Sequence, residues 1–387
     1  MGDGVTNLHH NKKSASVLAG QPNGGGIVYC HGDDAFTIVA SNDSDLDHIP
    51  YMDEYSAANA FVDGKLTVQG DLFAAIRFFR EQQPPLARQL YYSVAARFAQ
   101  FVGSALNSRN TAARNIRFHY DRSNAFYRQF LDSRMLYSAA DFSDPMRSLD
   151  EAQTKKLNKI CRKLDLHPNE RFLDVGCGWG ALVVYASEQY GVNSVGCTLS
   201  HDQLETARSV VRDHGLDKRV AIEETDYRDL RGHFDKIASV GMFEHVGRNN
   251  LSVYFRKINS LLDDRGVFLN RGIVRPETVS VGPATLFLQR NVFPGGDLLH
   301  LADVVREAEL AGFGVLEVED LRKDYALTCR AWVNRLLQNA ETCCGLVGEA
   351  IYRTWVLYLA ASAVNFEDGV ADAAQLTFEK RLKTRTP

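Results

Sequence analysis

The chain has 387 residues and carries 44 basic against 48 acidic side chains, a net charge of −4. Apolar residues make up 45% of the chain and charged residues 24%, which supplies a sizeable core and excludes disorder along the whole length. The acidic balance argues against a nucleic-acid binder of the basic kind. No apolar run is long enough for a transmembrane helix, and residues 1–20 lack the apolar segment of a secretory signal, so we expect neither.

Composition divides the chain into three segments. Residues 1–45 are rich in Gly, Asn, Ser and Asp, which predicts a flexible tail with one short edge strand at most. Residues 46–110 predict a small, mainly helical region, and 111–387 a single larger domain. The apolar residues that recur at helical spacing in the second segment are Leu72, Phe73, Ile76 and Phe79.

A second apolar stripe and a local excess of positive charge mark the same part of the chain. The stripe comprises Tyr91, Val94, Ala95, Phe98, Phe101 and Val102. It is interpreted as a core-facing helix, and the alternative is a surface that contacts lipid. Residues 75–135 hold ten arginines and three acids. This excess indicates either solvated helix surfaces or a basic face that attracts anionic headgroups.

Short apolar strands alternate with amphipathic helices from Leu149 onward. The predicted strands are 171–175, 194–197, 220–222, 236–240 and 266–269. Such alternation implies right-handed crossovers and a parallel sheet. We therefore predict an α/β, Rossmann-like sheet with helices on both faces, which binds its ligand at the carboxyl ends of the strands.

A glycine-rich turn follows the first of these strands and reads Asp174-Val-Gly176-Cys-Gly178-Trp-Gly180. Glycines at this place allow a tight turn and a close approach of the backbone to a ligand. The spacing differs from the dinucleotide fingerprint, no Gly-Lys-Ser follows, and an acid before the glycines suits a cationic ligand head. The combination is typical of the S-adenosylmethionine (SAM) loop of methyltransferases, with a purely structural turn as the alternative. Tyr227 follows the third strand, where such enzymes hold the adenine.

Further motifs stand in a fixed order around this turn. They are His119-Tyr-Asp-Arg-Ser-Asn124-Ala-Phe126-Tyr127, Met135-Leu-Tyr137-Ser138, Gly196-Cys-Thr198-Leu199-Ser200-His-Asp-Gln203, Met242-Phe-Glu244-His-Val-Gly247 and Phe293-Pro-Gly-Gly296. The ordered set resembles the cyclopropane fatty acid synthase family, which includes the mycolic acid cyclopropane synthases, from about residue 115 to the C-terminus. The resemblance implies a SAM-dependent methyltransferase fold and methyl transfer from SAM to the double bond of an unsaturated acyl chain.

The resemblance also implies which residues hold the methyl donor. They come from the segment before the glycine turn, from the turn itself, and from the ends of the next two strands. The implied SAM-binding residues are Tyr137, Ser138, Phe172, Asp174, Gly176, Cys177, Gly178, Gly180, Thr198, Leu199, Gln203, Tyr227 and Arg228.

In that family a bound bicarbonate takes a proton from the methylated intermediate, and a Cys, a Glu, a His, an Ile and a Tyr hold it. Glu244, Ile273 and Tyr325 match three of these positions, whereas Ala139 replaces the Cys and Arg271 replaces the His. Two interpretations of Arg271 stay open. Its guanidinium either grips a carboxylate or bicarbonate in bidentate fashion, or it pairs with Glu244 and leaves no base site.

The chemistry explains why these residues matter. An isolated alkene is a weak nucleophile, and methylation turns it into a carbocation. The site must therefore align the reacting atoms, exclude water and place negative charge or a π-face near the cation. Loss of a proton from the new methyl group closes a cyclopropane ring, and loss from a neighbouring carbon leaves a methyl-branched alkene. Both products stay open, because Ala139 and Arg271 belong to the set that positions the base.

The sequence thus predicts a SAM-dependent C-methyltransferase acting on unsaturated acyl chains of phospholipids. We expect it in the cytoplasm, held at the anionic inner face of the membrane, with no metal and no nucleic acid; a homodimer stays open. One alternative is an N- or C-methyltransferase of a small molecule, as in the plant alkaloid N-methyltransferases, which share a Phe-Glu-His segment. Another is a non-catalytic SAM- or lipid-binding protein, against which the intact glycine turn and Glu244 argue.

Overall fold

The computed structural model describes the backbone of residues 5–10, 13–18, 26–31, 34–42, 48–82, 84–105, 123–279, 282–293 and 298–382. These residues form two sheets. The N-terminal sheet is antiparallel and has five strands in the order β1-β2-β3-β4-β5. Its strands are β1 (Val5–His10), β2 (Lys13–Leu18), β3 (Gly26–His31), β4 (Asp34–Ala40) and β5 (Leu66–Gly70).

Three helices of the described residues accompany this sheet. They are α1 (Glu54–Val62), α2 (Leu72–Glu81) and α3 (Leu86–Ala105), preceded by a 3₁₀ turn at Ile49–Tyr51. Aspartates begin the first two: Asp53 accepts a hydrogen bond from the Ser56 amide at 2.8 Å, and Asp71 accepts one from the Phe73 amide at 2.7 Å. The N-terminal unit is therefore a strand-rich sheet packed with helices. Strands occur within 1–45, where the sequence predicted a tail with a single edge strand.

The second sheet has seven strands in the order β11-β12-β10-β9-β6-β7-β8. The strands β6 to β10 run parallel, as the alternating pattern predicted, and β12 is antiparallel to both β10 and β11. Their bounds are β6 (Arg171–Val175), β7 (Asn193–Thr198), β8 (Val220–Glu224), β9 (Phe234–Val240), β10 (Leu262–Val274), β11 (Phe313–Asp320) and β12 (Asp372–Lys380).

Helices cover both faces of this sheet, as predicted. They are α4 (Asn124–Tyr127), α5 (Leu149–Lys163), α6 (Ala181–Tyr190), α7 (His201–Asp213), α8 (Phe243–Val246), α9 (Leu251–Leu261), α10 (Pro283–Asn291), α11 (Leu301–Leu310), α12 (Arg322–Gln338), α13 (Ala340–Val347) and α14 (Glu349–Glu367). One buried cluster packs Phe255 and Phe268 between the sheet and α9, and another packs Ile160 and Val183 on the other side. Burial of these two apolar faces stabilises the three-layer arrangement.

Two arginines of α2 attach this helix to the end of α14. Arg77 donates to Glu367 at 2.5 Å and to Asp368 at 3.2 Å. Arg80 donates to Asp368 at 3.1 Å and to the Asn365 side chain at 2.7 Å. Arginines of the predicted basic segment are therefore partly neutralised by internal ion pairs, while residues 106–122 of that segment lie outside the described residues.

Helix α3 exposes an apolar stripe to solvent. Its exposed members are Leu86 (81%), Leu90 (64%), Tyr91 (57%), Val94 (58%) and Phe98 (67%). The opposite side of the helix is buried, since Tyr92 and Ala96 pack against Leu286 of α10. The prediction of a core-facing stripe is therefore wrong for Tyr91, Val94 and Phe98, because a different face of α3 makes the contact. Among the described helices, none combines the length and apolarity needed to cross a membrane.

Candidate active site

The glycine-rich turn between β6 and α6 borders a cavity of about 1000 Å³ at the carboxyl ends of the parallel strands. We call it the donor cavity. The predicted SAM-binding residues that line it are Tyr137, Ser138, Asp174, Gly176, Cys177, Gly178, Thr198, Leu199, Gln203 and Tyr227. Gly176 has a φ of +82°, and a Cβ atom there would lie 3.1 Å from Met242 Cγ. Glycine is thus required at this point of the turn.

Three predicted SAM-binding residues lie outside the lining. Phe172 is wholly buried in the core beneath the sheet. Gly180 is the N-cap of α6, where a Cβ atom would lie 3.0 Å from Ala207 Cβ. Arg228 donates two hydrogen bonds to the carboxylate of Asp226, at 2.8 and 2.5 Å, instead of facing the cavity. These residues support the cavity from behind its wall.

A buried charged group that the sequence analysis missed also lines the donor cavity. Lys156 is 0% exposed, and its Nζ donates to Ser138 Oγ at 2.9 Å. Burial lowers the pKa of Lys156 well below its usual range, and the nearby Arg271 adds to this effect. Burial raises the pKa of Asp174 to about 7, partly offset by Lys156. The Oδ1 atom of Asp174 is buried without a hydrogen-bond partner.

A sequence signal for Lys156 existed. Helix α5 buries Leu149, Gln153, Leu157 and Ile160. Position 156 follows 149 by two helical turns and precedes 160 by four residues, so it lies on the same face. A lysine on the buried face of an amphipathic helix is rarely without a partner or a function.

The donor cavity suits SAM, which combines an adenosine with a carboxylate, an ammonium and a sulfonium. The orphaned oxygen of Asp174 can accept from a cationic group, and Lys156 is the one ammonium among the described lining residues. Thr198 donates to Gln203 Oε1 at 2.8 Å, which fixes the glutamine side chain with its amide nitrogen still able to donate. Tyr227 adds an aromatic ring beside these polar groups.

A second cavity, of about 1220 Å³, adjoins the first. We call it the acceptor cavity. Tyr137, Gly241 and His245 line both cavities, so the two meet at these residues. Burial lowers the pKa of His245 to about 4, which keeps the imidazole neutral at physiological pH. Aromatic rings dominate the acceptor side: Tyr137, Phe293, Tyr325, Trp332, Tyr358 and Phe366.

Glu244 presents a carboxylate to the acceptor cavity. Its Oε1 accepts a hydrogen bond from the Ile273 amide at 2.7 Å, whereas its Oε2 is buried without a partner. Burial raises the pKa of Glu244 to about 7. A Cβ atom at Gly272 would lie 2.6 Å from Glu244 Oε1, so the glycine leaves the room that this rotamer needs. Such a carboxylate is poised to gain or lose a proton near neutral pH.

A smaller cavity lies beside Glu244. Of the five residues predicted to position the base, Ala139, Glu244, Arg271 and Tyr325 line this small cavity, and Ile273 lines the adjoining acceptor cavity. The structure therefore brings all five together, although their sequence positions span 187 residues from 139 to 325 inclusive.

Arg271 is 2% exposed and bonds to neutral groups. Its Nη2 donates to the Ala139 carbonyl at 2.7 Å, and its Nη1 donates to Gln375 Oε1 at 3.3 Å. Burial lowers its pKa to about 10. In the part of the chain that the structure describes, Arg271 and Glu244 form no ion pair. The alternative in which these two residues pair is thus not realised.

Comparisons with known proteins agree with this architecture. The family model described as "Mycolic acid cyclopropane synthetase" matches residues 107–376. A "Probable fatty acid methyltransferase" of Pseudomonas putida is 37% identical over 88% of this chain and 86% of its own length. "Sphingolipid C9-methyltransferase 2" of Gibberella zeae is 33% identical over 72% of this chain and 55% of its own length.

A comparison with a solved structure agrees with these sequence matches. The mycolic acid cyclopropane synthase CmaA1, complexed with SAH and CTAB, superimposes with a TM-score of 0.67 at 33% identity. The match covers 69% of this chain and 98% of that protein. With the donor cavity formed by the glycine turn, these likenesses show that the chain belongs to the mycolic acid cyclopropane synthetase family and is a SAM-dependent methyltransferase.

Proposed function

We propose that the enzyme transfers a methyl group from SAM to the double bond of an unsaturated acyl chain in a membrane phospholipid. The observation that carries this proposal is the acceptor cavity: it is aromatic, meets the donor cavity at Tyr137, Gly241 and His245, and holds the buried carboxylate of Glu244. The product is a cyclopropane or a methyl-branched chain. The P. putida relative, described as a probable fatty acid methyltransferase, supports an acyl acceptor.

Residues of the donor cavity hold the methyl donor in this proposal. SAM, when bound, supplies an electrophilic methyl group. Asp174 accepts from its ammonium group, Lys156 faces its carboxylate, and Thr198, Gln203 and Tyr227 contact the adenosine. Tyr137 and Ser138 close the cavity beside the junction with the acceptor side.

The acceptor cavity accomplishes two further tasks. Its apolar lining excludes water, which would otherwise capture a carbocation on the acyl chain. Its aromatic faces, among them Tyr325 stacked on Phe366 with ring centroids 4.6 Å apart, stabilise the positive charge as it develops. Neutral His245 adds no opposing charge at the junction.

The proton that the methylated acyl chain loses leaves toward the small cavity beside Glu244. We propose that Arg271 and Glu244 would hold a bicarbonate there, which would supply the proton acceptor. The buried guanidinium of Arg271 hydrogen-bonds only neutral oxygens among the described residues, while Asp324, Glu319 and Asp141 act on it through their charge. A buried cation of this kind is stabilised by an anion. Glu244, with its pKa near 7, hydrogen-bonds that anion in its protonated form or takes the proton itself when ionised.

Helix α3 holds the enzyme at the membrane in this proposal. Its exposed stripe of Leu86, Leu90, Tyr91, Val94 and Phe98 is the kind of face that enters the headgroup boundary of a bilayer. The other side of α3 packs on α10, and α10 also lines the acceptor cavity through Thr285, Leu288 and Gln289. A membrane-bound α3 would thus bring lipid next to the acceptor site.

Mass spectrometry of membrane lipids tests the function. A host rich in monounsaturated phospholipids expresses the wild type, Glu244→Gln or the control Glu223→Gln, whose side chain is exposed on β8. We expect acyl chains to gain the mass of one CH₂ group with the wild type and the control, but not with Glu244→Gln. Hydrogenation that spares cyclopropane rings then separates the two products. An unchanged lipid profile from folded, SAM-binding protein would contradict the proposal and favour a small-molecule acceptor.

A separate assay tests the anion. Methyl transfer by the purified enzyme is measured in buffer stripped of carbon dioxide and again after bicarbonate is added. We expect added bicarbonate to restore the wild-type rate and to have no effect on Arg271→Met. A wild-type rate that is independent of bicarbonate would assign the proton transfer to Glu244 alone.

A further inference from the structure

A further cavity lies between the N-terminal helices and the catalytic domain. We call it the interdomain cavity. One side is formed by α1, α2 and β5, and the other by α10 and α14. Its apolar lining includes Ala58, Phe61, Ile76, Phe287, Leu357 and Ala361.

This cavity adjoins the acceptor cavity. Leu288, Tyr358, Ser362 and Asn365 line both of them. Two side chains of α14 at the boundary, Ser362 and Asn365, already have hydrogen-bond partners: Ser362 Oγ donates to the Tyr358 carbonyl at 2.8 Å, and Asn365 Oδ1 accepts from Arg80 at 2.7 Å. The Ser362 hydroxyl and the Asn365 side-chain oxygen are therefore already paired within the protein.

The carboxylate at the edge of the cavity also has a partner. Glu54, at the end of α1 that borders the cavity, lies 3.5 Å from Arg80 Nε. An occupant of the interdomain cavity therefore gains little from hydrogen bonding and much from burying apolar surface. An alkyl chain has this chemistry.

Fixed walls give this cavity a defined shape. Arg77 and Arg80 attach α2 to α14, and Arg353 of α14 donates to the carbonyl oxygens of Phe61 at 3.2 Å and Leu66 at 3.3 Å. Because these hydrogen bonds hold the N-terminal helices against α14, the cavity between them limits the length of a chain that enters it. The match to CmaA1 covers only 69% of this chain, whereas the N-terminal helices form one wall of the interdomain cavity.

We infer that the interdomain cavity receives the part of the acyl chain between the double bond and the methyl end. The inference rests on the proposed acyl methylation. With the double bond beside Glu244, the distal carbons pass Leu288 and Tyr358 and lie between α1 and α14. The N-terminal unit then selects substrates by the length of chain beyond the double bond.

Narrowing the cavity tests this inference. Ala361→Leu fills it from α14 and Ala58→Leu fills it from α1, while Ala350→Leu makes the same change on the exposed start of α14. Each protein is assayed on vesicles of myristoleoyl, palmitoleoyl or oleoyl phosphatidylglycerol. These chains share one double-bond position and differ only in the number of carbons beyond it.

For both filling variants, we expect the ratio of oleoyl to myristoleoyl methylation to fall about tenfold or more, since a single methylene in a tight apolar pocket has effects of this size. The control should keep the wild-type ratio. Equal losses on all three lipids, or an unchanged ratio in both folded variants, would overturn the inference. A wild type that methylates none of the lipids would instead refute the proposed function.

Discussion

The donor cavity and the acceptor side differ in how the chain builds them. The donor cavity is formed largely by consecutive residues at strand ends, with the glycine turn at its centre. The acceptor side, in contrast, draws residues from helices separated by more of the chain, and the interdomain cavity adds helices of the N-terminal unit. The donor cavity is thus built mainly from short runs of residues at the ends of neighbouring strands, whereas the acceptor side depends on the tertiary packing of helices.

The sharpest way to separate the two regions is a change that displaces Glu244 and leaves the donor cavity intact. The Cβ atom of Gly272→Ala would collide with Glu244 Oε1 and with Phe243 Cε1 at 2.5 Å. We expect methyl transfer to fall by about 100-fold or more, because a displaced catalytic group loses most of its contribution. SAM binding, measured by calorimetry, should change little.

Gly345→Ala is the matched control for that experiment, since a Cβ atom there meets nothing within 4 Å. It should retain wild-type methyl transfer. Loss of SAM binding in folded Gly272→Ala would show that the two cavities are not separable in this way.

The reverse experiment weakens the donor cavity. Lys156→Met removes the Nζ that donates to Ser138 and takes away the side chain that lowers the pKa of Asp174. We expect the Kd for SAM to rise about 10- to 100-fold, the range for loss of a charged hydrogen bond in a buried site. Calorimetric titration measures this Kd. Lys155→Met, which changes the preceding residue of α5, is the control. Equal SAM affinity in Lys156→Met and the control would remove Lys156 from the binding site.

A third prediction concerns lipid access. In Leu90→Asp with Phe98→Asp, two exposed apolar side chains of α3 become charged, and we expect binding to anionic vesicles to weaken about tenfold or more. Sedimentation with vesicles measures the effect. Met146→Asp with Leu310→Asp adds the same charge at exposed apolar residues elsewhere and should bind like the wild type. If both pairs weaken binding alike, charge alone is responsible and α3 is not the docking face.

The smallest expected effect is a pH dependence. Burial raises the pKa of Glu244 to about 7, so its protonated form predominates in the free enzyme at lower pH. If the ionised carboxylate takes the proton, kcat/KM for the acyl chain at saturating SAM should fall about fivefold between pH 7 and pH 6. Stopped assays across this range measure the profile. A flat profile would show that the ionisation of Glu244 does not limit the reaction.

Much of the catalytic domain is predictable because its local signals agree. The apolar runs that became β6, β7, β8, β9 and β10 alternate with helical periodicity, and this pattern specifies a parallel sheet. The N-terminal unit is harder to predict from the sequence. Its strands are short and are separated by segments rich in Gly, Asn, Ser and Asp, such as 19–25 and 41–47, so the composition of residues 1–45 resembles that of a tail.

The orientation of α3 was also not predictable, because its sequence has apolar residues on two faces. Tyr92 and Ala96 contact α10, while Leu90 and Phe98 face solvent. Periodicity identifies a helix but cannot choose between two apolar faces when the partner element is distant in sequence.

The sequence by itself determined the sheet, the glycine turn and the family, because each depends on local spacing and on motifs in a fixed order. It also identified Glu244, Arg271 and Tyr325 as members of one set. Only the tertiary structure decided that Arg271 bonds to Ala139 and Gln375 rather than to Glu244, and that an apolar cavity lies between α1 and α14. Both depend on contacts between residues far apart in the chain, and the physical reason is that side-chain packing chooses among partners that local patterns leave equivalent.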